Sequence, residues 1–383
     1  MANRFWARSQ ETPEAGAAAV AEAAEAARAE PNFGELMDER LWQWLAAAEL
    51  SPARARQILG TVVRERRASR DEIASHPLLS RAEADRVRDA SDSAIEGALR
   101  AGVRLLAEAD YPEGLRSSGE APPAVFVWGD PACLQAPAVG IVGTRGATAY
   151  GKAVASKFAE ALARAGATVI SGGALGIDSA AHRGALAVGG RTAAVLAGGV
   201  DRVYPAVHAG LFMQIREHGC LVSQFALGSS PSGYRFLVRN RLIAGLCRAV
   251  VVVEAPERSG ALSTAHAAND FGREVFVVPA TIDKMGFRGS HALIRDGATL
   301  VDHPDQVLEA VGLPTSAALA APERSPASSV GEAILAALTE NPITTDRLAE
   351  QTGLGAAQLL AELTDLEMEG WVTKHPGGFA KRV

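Results

Sequence analysis

The sequence has only three cysteines in 383 residues, Cys133, Cys220 and Cys247, and no two of them form a CxxC pair. It therefore predicts neither a disulfide framework nor a zinc site. Long apolar runs are also missing, because stretches such as residues 249–253 are far shorter than the ~20 residues that span a bilayer. We expect no membrane segment. Residues 1–35 lack the basic-then-apolar order of a secretion signal, which predicts a cytoplasmic protein.

The usual signatures of hydrolytic enzymes are absent too. There is no HExxH and no GxSxG. The sequence therefore lacks the usual zinc-binding motif of metalloproteases and the usual nucleophile motif of serine hydrolases. Residues 146–152 fit GxxxxGK, but Ala153 stands where a P-loop needs a hydroxyl for magnesium. His182 is close to Asp178, but a catalytic triad draws its members from separate segments. We therefore expect no catalytic residue, no metal and no cofactor.

Charge is unevenly distributed along the chain. The formal net charge is −6, yet residues 138–312 hold 17 Lys/Arg against 13 Asp/Glu, whereas residues 1–137 and 329–383 are both acidic. Net charge is a sum over domains and says little about any one face. A polyanionic partner would therefore bind the middle segment.

Composition and apolar spacing divide the rest of the chain. Residues 1–35 are rich in Ala and Glu and predict a tail, while residues 36–108 have the helical spacing of a small helical domain. Residues 313–328, rich in Ala, Pro and Ser, predict a linker. Residues 329–383 suggest three helices followed by a β-hairpin, which is the order of a winged helix.

The middle domain, residues 109–312, alternates short β-branched runs with helix-length amphipathic stretches. This alternation is typical of βαβ units and of a parallel sheet buried on both faces. The expected strands are residues 139–142, 168–170, 192–196, 221–223, 250–253, 274–278 and 299–301. The sequence thus predicts an α/β fold.

Small residues follow three of the expected strands, and an arginine ends the first of these segments. Three such segments are Gly143-Thr144-Arg145, Ser171-Gly172-Gly173 and Ser259-Gly260. Glycine lets phosphate oxygens approach main-chain N–H groups, and helix starts carry positive partial charge. Since parallel sheets bind ligands at the carboxyl ends of their strands, these loops predict an anion cradle.

Two further arginines flank an asparagine in Arg239-Asn240-Arg241, within the expected helix at residues 236–247. An arginine fork matches two phosphate oxygens at once. Residues 239 and 241 cannot share one helical face, so we expect one to reach the ligand and the other a structural carboxylate. Five other basic residues are candidates for the same face: Lys152, Arg183, Arg202, Arg258 and Arg273.

This series of motifs resembles the bacterial DNA-processing protein A (DprA/Smf) family. The resemblance is carried by residues 139–145, residues 171–178 with Ala181-His182, Tyr204-Pro205, residues 239–246, and Ser259-Gly260 with Thr264. It is strong over about residues 110–305, and motifs in this order are highly specific.

The resemblance implies an extended Rossmann-like, mostly parallel domain between a small N-terminal helical (SAM/HhH-like) domain and a C-terminal winged helix. It implies a single-stranded DNA binder that is not an enzyme, dimerises through the Rossmann-like domain, protects incoming strands and loads the RecA recombinase during natural transformation. The family's anion pocket maps onto Gly143, Thr144, Arg145, Ser171, Gly172, Gly173, Arg239, Asn240 and Arg241.

The chain departs from the family pattern at three positions, and each concerns the rim of the pocket. Gln224 follows Ser223 where the family usually has Glu, and Ala280 follows Pro279 where it usually has Gly. His291 stands where the family usually has Asn.

The expected third helix of the winged helix, residues 356–368, contains Glu362, Asp365 and Glu367 and no Lys or Arg. Phosphates would repel such a helix. We expect the module to serve protein contacts or dimer assembly, while Lys374, Lys381 and Arg382 on the wing leave weak DNA contact open.

Two other functions remain as alternatives. A Rossmann-like nucleotide-processing enzyme of the phosphoribohydrolase type would use a Pro-Gly-Gly-x-Gly-Thr loop, which this chain lacks. A transcription regulator acting through the winged helix is disfavoured by the acidic third helix.

Overall fold

The computed structural model describes residues 39–64, 69–315, 318, 329–339, 342–368, 371–375 and 377–381. The expected tail, residues 1–35, and most of the expected linker, residues 313–328, lie outside these ranges. The chain forms two compact units, Met1–Thr315 and Ser316–Val383, which are treated separately below.

The first unit begins with five helices, four of which follow a serine whose hydroxyl accepts a hydrogen bond from a backbone N–H of the first turn. They are α1 (Glu39–Ala48), α2 (Pro52–Arg64), α3 (Arg70–Ala74), α4 (Arg81–Arg88) and α5 (Asp92–Arg100). Ser69 and Ser80 form capping boxes with Glu72 and Glu83, and Ser91 accepts a hydrogen bond from the Ala94 N–H. Such caps satisfy backbone donors that have no partner inside the helix, so they fix where these short helices begin.

The helical spacing was expected to continue through residue 108, and this expectation is wrong at its end. Val103–Ala107 is a strand, β1, which pairs antiparallel with β2 (Ala124–Gly129), so that Leu105 faces Phe126. Tertiary pairing overrides the apolar spacing here, because a run such as Val-Arg-Leu-Leu-Ala fits either period.

The other strands of the first unit belong to the same nine-stranded sheet. They are β3 (Ala138–Val142), β4 (Thr168–Ser171), β5 (Thr192–Val195), β6 (Cys220–Ser223), β7 (Ala249–Val252), β8 (Glu274–Val277) and β9 (Thr299–Leu300). The order is β1-β2-β6-β5-β4-β3-β7-β8-β9. The seven strands β3 to β9 are parallel to one another. β2 pairs antiparallel with both β1 and β6.

Helices cover both faces of this sheet. They are α6 (Glu113–Arg116), α7 (Ala149–Arg164), α8 (Ile177–Ala187), α9 (Ala209–His218), α10 (Gly233–Leu246), α11 (Gly260–Asp270), α12 (Arg288–Arg295) and α13 (Pro304–Ala310). Successive residues of β7 alternate between the two cores: Val250 packs with α10 and α11, while Val251 packs with α7 and α8. Burial on both faces explains the β-branched runs of the sequence.

The connections place a topological switch beside β3. From β3 the chain steps outward through β4 and β5 to β6, and it then returns to form β7 on the opposite side of β3. Loops that leave β3 and β7 therefore diverge at the carboxyl edge of the sheet and open a crevice, which is where sheets of this kind bind ligands.

The second unit has its own core. Helices α14 (Ser329–Ala337), α15 (Thr345–Thr352) and α16 (Ala356–Met368) precede a hairpin of β10 (Val372–His375) and β11 (Gly378–Lys381). Leu348, Leu363 and Val372 are among its buried residues. The predicted winged-helix order is confirmed. Among the described residues of the whole chain, no helix is long and apolar enough to cross a membrane.

Candidate nucleic-acid interface

A cavity of ≈ 280 Å³ lies at the carboxyl edge of β3 and β7, where the switch predicts a ligand site. Its walls come from the loops after β3, β4 and β7 and from one face of α10. The lining includes Gly143, Thr144, Arg145, Asp178, Phe236, Arg239, Asn240, Arg258, Ser259 and Gly260. The structure thus brings together eight of the sixteen candidate residues named from the sequence around one concave surface.

The loop after β3 is held on two sides. The Thr144 N–H donates to the Glu254 carbonyl at 2.7 Å, and the Thr144 carbonyl accepts from the Ile177 N–H at 3.3 Å. A Cβ at Gly143 would lie 2.8 Å from Ile177 Cβ, so only glycine fits at this position. The loop presents an exposed Arg145 at the mouth of the cavity, with its Cζ 4.7 Å from the centre of the Phe236 ring.

Arg239 approaches the same ring from inside the protein. Its Cζ is 5.7 Å from the Phe236 centre, and its side chain is buried. Nη1 donates to the Val195 carbonyl at 3.0 Å, while Nε has no acceptor among the described residues. Burial lowers the pKa of Arg239, the nearby Asp178 carboxylate opposes that change, and Arg145 adds to it. Two guanidinium groups therefore lie close to one aromatic ring.

The carboxylate of Asp178 binds the main chain of the glycine loop after β4. Its Oδ2 accepts hydrogen bonds from the N–H groups of Gly172 at 3.1 Å and Ala174 at 3.3 Å. These donors are already occupied, so the loop is not the open main-chain anion cradle that the glycines suggested. Burial raises the pKa of Asp178, and the Arg239 charge opposes this shift.

Two residues of that loop lie behind the cavity wall. The Ser171 hydroxyl donates to the Ile141 carbonyl at 2.6 Å, and the Gly173 carbonyl is hydrogen-bonded by His208 Nδ1 at 2.9 Å. Both residues are buried, and neither lines the cavity. They shape the loop and do not face the cavity.

Arg241 is a correction to the predicted anion pocket. It forms ion pairs with Glu120 and Asp270 and lies over Phe271, with its Cζ 4.9 Å from the ring centre. It lines a separate cavity between α1 and the sheet domain. The reason is helical phase: Arg239 and Arg241 point to different faces of α10, as two positions on a helix separated by two residues must.

Asn240, Ser259 and Gly260 join α10 to the start of α11. Asn240 Nδ2 donates to the Gly260 carbonyl at 3.0 Å and to Ser263 Oγ at 2.7 Å. Ser259 Oγ accepts from the Ala261 N–H at 3.2 Å and caps α11. These contacts fix the far wall of the cavity, where the exposed Arg258 adds a third guanidinium.

Lys152 lies outside the cavity, in an open groove that also contains Arg145, Ser156 and Arg183. Arg202 lines a narrow slot, which Phe236 and Arg145 also line. Arg273 does not join this surface, because it donates to the Gly114 carbonyl at 2.6 Å. Arg145 is therefore shared by the cavity, the groove and the slot.

The three departures from the family pattern do not line the cavity. Gln224 lines the separate cavity next to α1, and the His291 ring stacks on Phe287 with centroids 6.5 Å apart. None of the three departures therefore changes the lining of the cavity.

Phe236 and Asp178 were not among the predicted site residues. A signal for Phe236 was present in the sequence, since Phe236, Arg239, Asn240 and Ile243 are spaced to share one helical face, and all four line the cavity. Asp178 gave no such signal, because its role depends on a turn that brings the carboxylate back to Gly172.

His182 is a hydrogen-bonding core residue. Its Nδ1 lies 2.7 Å from Thr192 Oγ1, which itself donates to the Val169 carbonyl at 2.7 Å. Burial, with His208 and Arg239 nearby, lowers the pKa of His182 to about 3. Among the residues described, no group of three or more His, Cys, Asp or Glu side chains could hold a metal ion.

Comparison with known proteins covers both units. The family described as DNA recombination-mediator protein A matches residues 102–312, and the DprA winged helix domain matches residues 318–378. Protein Smf of Escherichia coli is 38% identical over 279 residues, which cover 71% of this chain and 75% of the relative. The putative DNA processing protein DprA of Mycobacterium tuberculosis is 45% identical over 240 residues, which cover 61% of each chain.

Two solved structures are similar over most of their own length. DNA processing protein A from Streptococcus pneumoniae aligns with a TM-score of 0.60 and 32% identity, covering 70% of this chain and 95% of that one. The protein from Helicobacter pylori, described with a unique single-stranded DNA binding mode, aligns with a TM-score of 0.50 and 28% identity, covering 54% and 94%.

Proposed function

Because this chain belongs to the DNA recombination-mediator protein A (DprA/Smf) family, we propose that it binds single-stranded DNA at the edge of the sheet where β3 and β7 diverge. The observation that carries the proposal is that the exposed Arg145 and the buried Arg239 line one cavity, with their Cζ atoms 4.7 Å and 5.7 Å from the centre of the Phe236 ring. Guanidinium groups bind phosphate oxygens, and an aromatic ring beside them offers a stacking surface.

The basic surface extends beyond the cavity. Arg145 also borders the groove with Lys152 and Arg183, and the slot with Arg202, so a flexible backbone can follow these charges. The slot adds a second ring, since Tyr204 and Phe236 have centroids 6.2 Å apart. Binding of this kind tolerates sequence and weakens steeply as salt rises.

We propose that this chain acts in the cytoplasm, protects incoming strands and loads the RecA recombinase in natural transformation, and that it is not an enzyme. We also propose that it forms a homodimer through the Rossmann-like domain. Support for a protein contact there comes from Ile282 and Met285, which are 90% and 69% exposed in the loop after β8. Covering these apolar side chains with a second chain would remove apolar surface from water, which favours association.

A salt-series titration tests DNA binding directly. Labelled single-stranded and double-stranded oligonucleotides of equal length are titrated with the full chain and with Arg145→Ala. We expect the single strand to bind more tightly at every salt concentration and Arg145→Ala to weaken it. Equal affinity for the duplex, or an unaffected variant, would refute the proposed site.

Separate measurements test the wider role. The rate of RecA filament formation on single strands should rise when the protein is added, and sedimentation should give a dimer. Incubation with nucleoside monophosphates should release no free base, whereas release would favour a phosphoribohydrolase-type enzyme.

A further inference from the structure

We propose that the cavity between the β3 and β7 loops is a pocket for one nucleotide, and that it binds free nucleoside monophosphates as well as a segment of a DNA strand. The inference rests on the proposed function, because it concerns the same site. It adds that the cellular pool of mononucleotides competes with DNA for this protein.

The size of the cavity is the first support. Its ≈ 280 Å³ is close to the lower limit of small-molecule pockets, about 300 Å³. A cavity of this size takes a ligand as small as a single nucleotide, and a base pair cannot enter it. The adjoining slot, of ≈ 40 Å³, is much smaller.

The lining supplies two kinds of surface, which match the two halves of a nucleotide. Arg145, Arg239 and Arg258 provide positive charge for a phosphate. Val142, Ile243 and Pro256 provide apolar contact for a base or sugar. A phosphate ion would use only the first group and a nucleoside only the second, so a nucleoside monophosphate is the smallest ligand that uses both.

The state of Arg239 points to an anion in the cavity. The guanidinium is buried, one of its N–H groups donates to Val195, and its Nε has no acceptor among the described residues. The nearby Asp178 carboxylate is hydrogen-bonded to two main-chain N–H groups and so offsets this charge only in part. A buried cation without a full set of acceptors is costly, and a bound phosphate would supply oxygens and charge.

Calorimetric titration of the full chain with thymidine monophosphate, thymidine and inorganic phosphate tests the inference. We expect the monophosphate to bind at least about tenfold more tightly than either fragment, since it makes both sets of contacts. It should also displace a labelled single-stranded oligonucleotide. Arg239→Gln and Arg258→Gln should each weaken the monophosphate, whereas Arg241→Gln, on the opposite face of α10, should not.

The outcomes separate the two proposals. If the oligonucleotide binds and the monophosphate does not, or binds no better than phosphate, the nucleotide pocket is refuted and DNA binding stands. If neither binds, DNA binding at this site fails as well. Should Arg239→Gln unfold, which circular dichroism would reveal, the exposed Arg258→Gln still decides, because unchanged binding there would refute the pocket.

Discussion

The guanidinium of Arg239 occupies the space beside Gly172 that any other residue would need for its side chain. A Cβ built at residue 172 would overlap Nη1 of Arg239 and would lie 2.8 Å from Nη2. The absence of a side chain at 172 therefore allows a buried arginine on α10 to reach the loop after β4. Gly172 is therefore needed to leave room for the Arg239 side chain.

Gly172→Ala should weaken binding of single-stranded DNA by about 1 to 3 kcal/mol, the value of a hydrogen bond to a charged group, because the methyl group displaces Arg239 from the cavity floor. Fluorescence anisotropy at fixed salt measures the loss. Gly210→Ala is a matched control, since a Cβ there meets nothing within 4 Å. Equal affinity of the two variants would contradict this role for Gly172.

Arg145→Ala should change DNA affinity, whereas Arg241→Ala should change only the stability of the fold. Loss of Arg145 should reduce DNA affinity by about 1 to 3 kcal/mol and make the salt dependence less steep by about one phosphate contact. Loss of Arg241 should leave affinity unchanged and reduce the free energy of unfolding by at most about 1 kcal/mol, since its ion pairs with Glu120 and Asp270 are partly exposed. Affinity at several salt concentrations and urea unfolding provide the comparison.

The elements that carry these arginines were predicted from the sequence. The expected strand at residues 139–142 is β3, Ala138–Val142, and the expected helix at residues 236–247 is α10, Gly233–Leu246. A buried sheet leaves a strong β-branched pattern, which explains this success. The sequence also predicted that one of Arg239 and Arg241 would pair with a structural carboxylate, as Arg241 does. Which one does depends on how α10 packs on the sheet, and that is a property of the folded chain.

The same limit applies to the loop after β4. Its glycines indicated an anion cradle, but the structure assigns the Gly172 N–H to Asp178 and the space beside it to Arg239. A run of glycines shows that another group can come close to the backbone. It does not show whether that group is a ligand or a side chain of the same protein. Both partners of Gly172 come from helices that follow the loop.

Phe236→Ala should weaken binding of single-stranded DNA by about 1 to 3 kcal/mol, because a stacking base loses its ring. Phe236→Tyr should bind nearly as well as the parent chain, since the ring close to Arg145 and Arg239 is kept. Anisotropy with oligothymidine and with an abasic strand separates stacking from charge. An equal loss on the abasic strand would show that Phe236 acts only by holding the arginines.

His182 predicts a specific dependence of stability on pH. Its pKa is about 3 in the folded protein and near 6.5 when unfolded. Between these values the unfolded chain binds the additional proton, so stability falls as pH drops through this window, by about 1.4 kcal/mol per pH unit. Urea unfolding from pH 7 to pH 4 measures the slope. In His182→Gln the slope should be smaller by that amount, and identical slopes would show that His182 is not buried as described.

The winged helix should be dispensable for DNA affinity, because the exposed face of α16 carries Asp365 and Glu367 and no cation. A chain ending at Thr315, the boundary of the first compact unit, should bind single-stranded DNA within about threefold of the full chain. Asp365→Asn with Glu367→Gln in the full chain should leave affinity unchanged. If the truncated chain stays folded but loses most of its affinity, the second unit must contact the strand. The exposed Lys374 and Lys381 of the hairpin would then be the first residues to substitute.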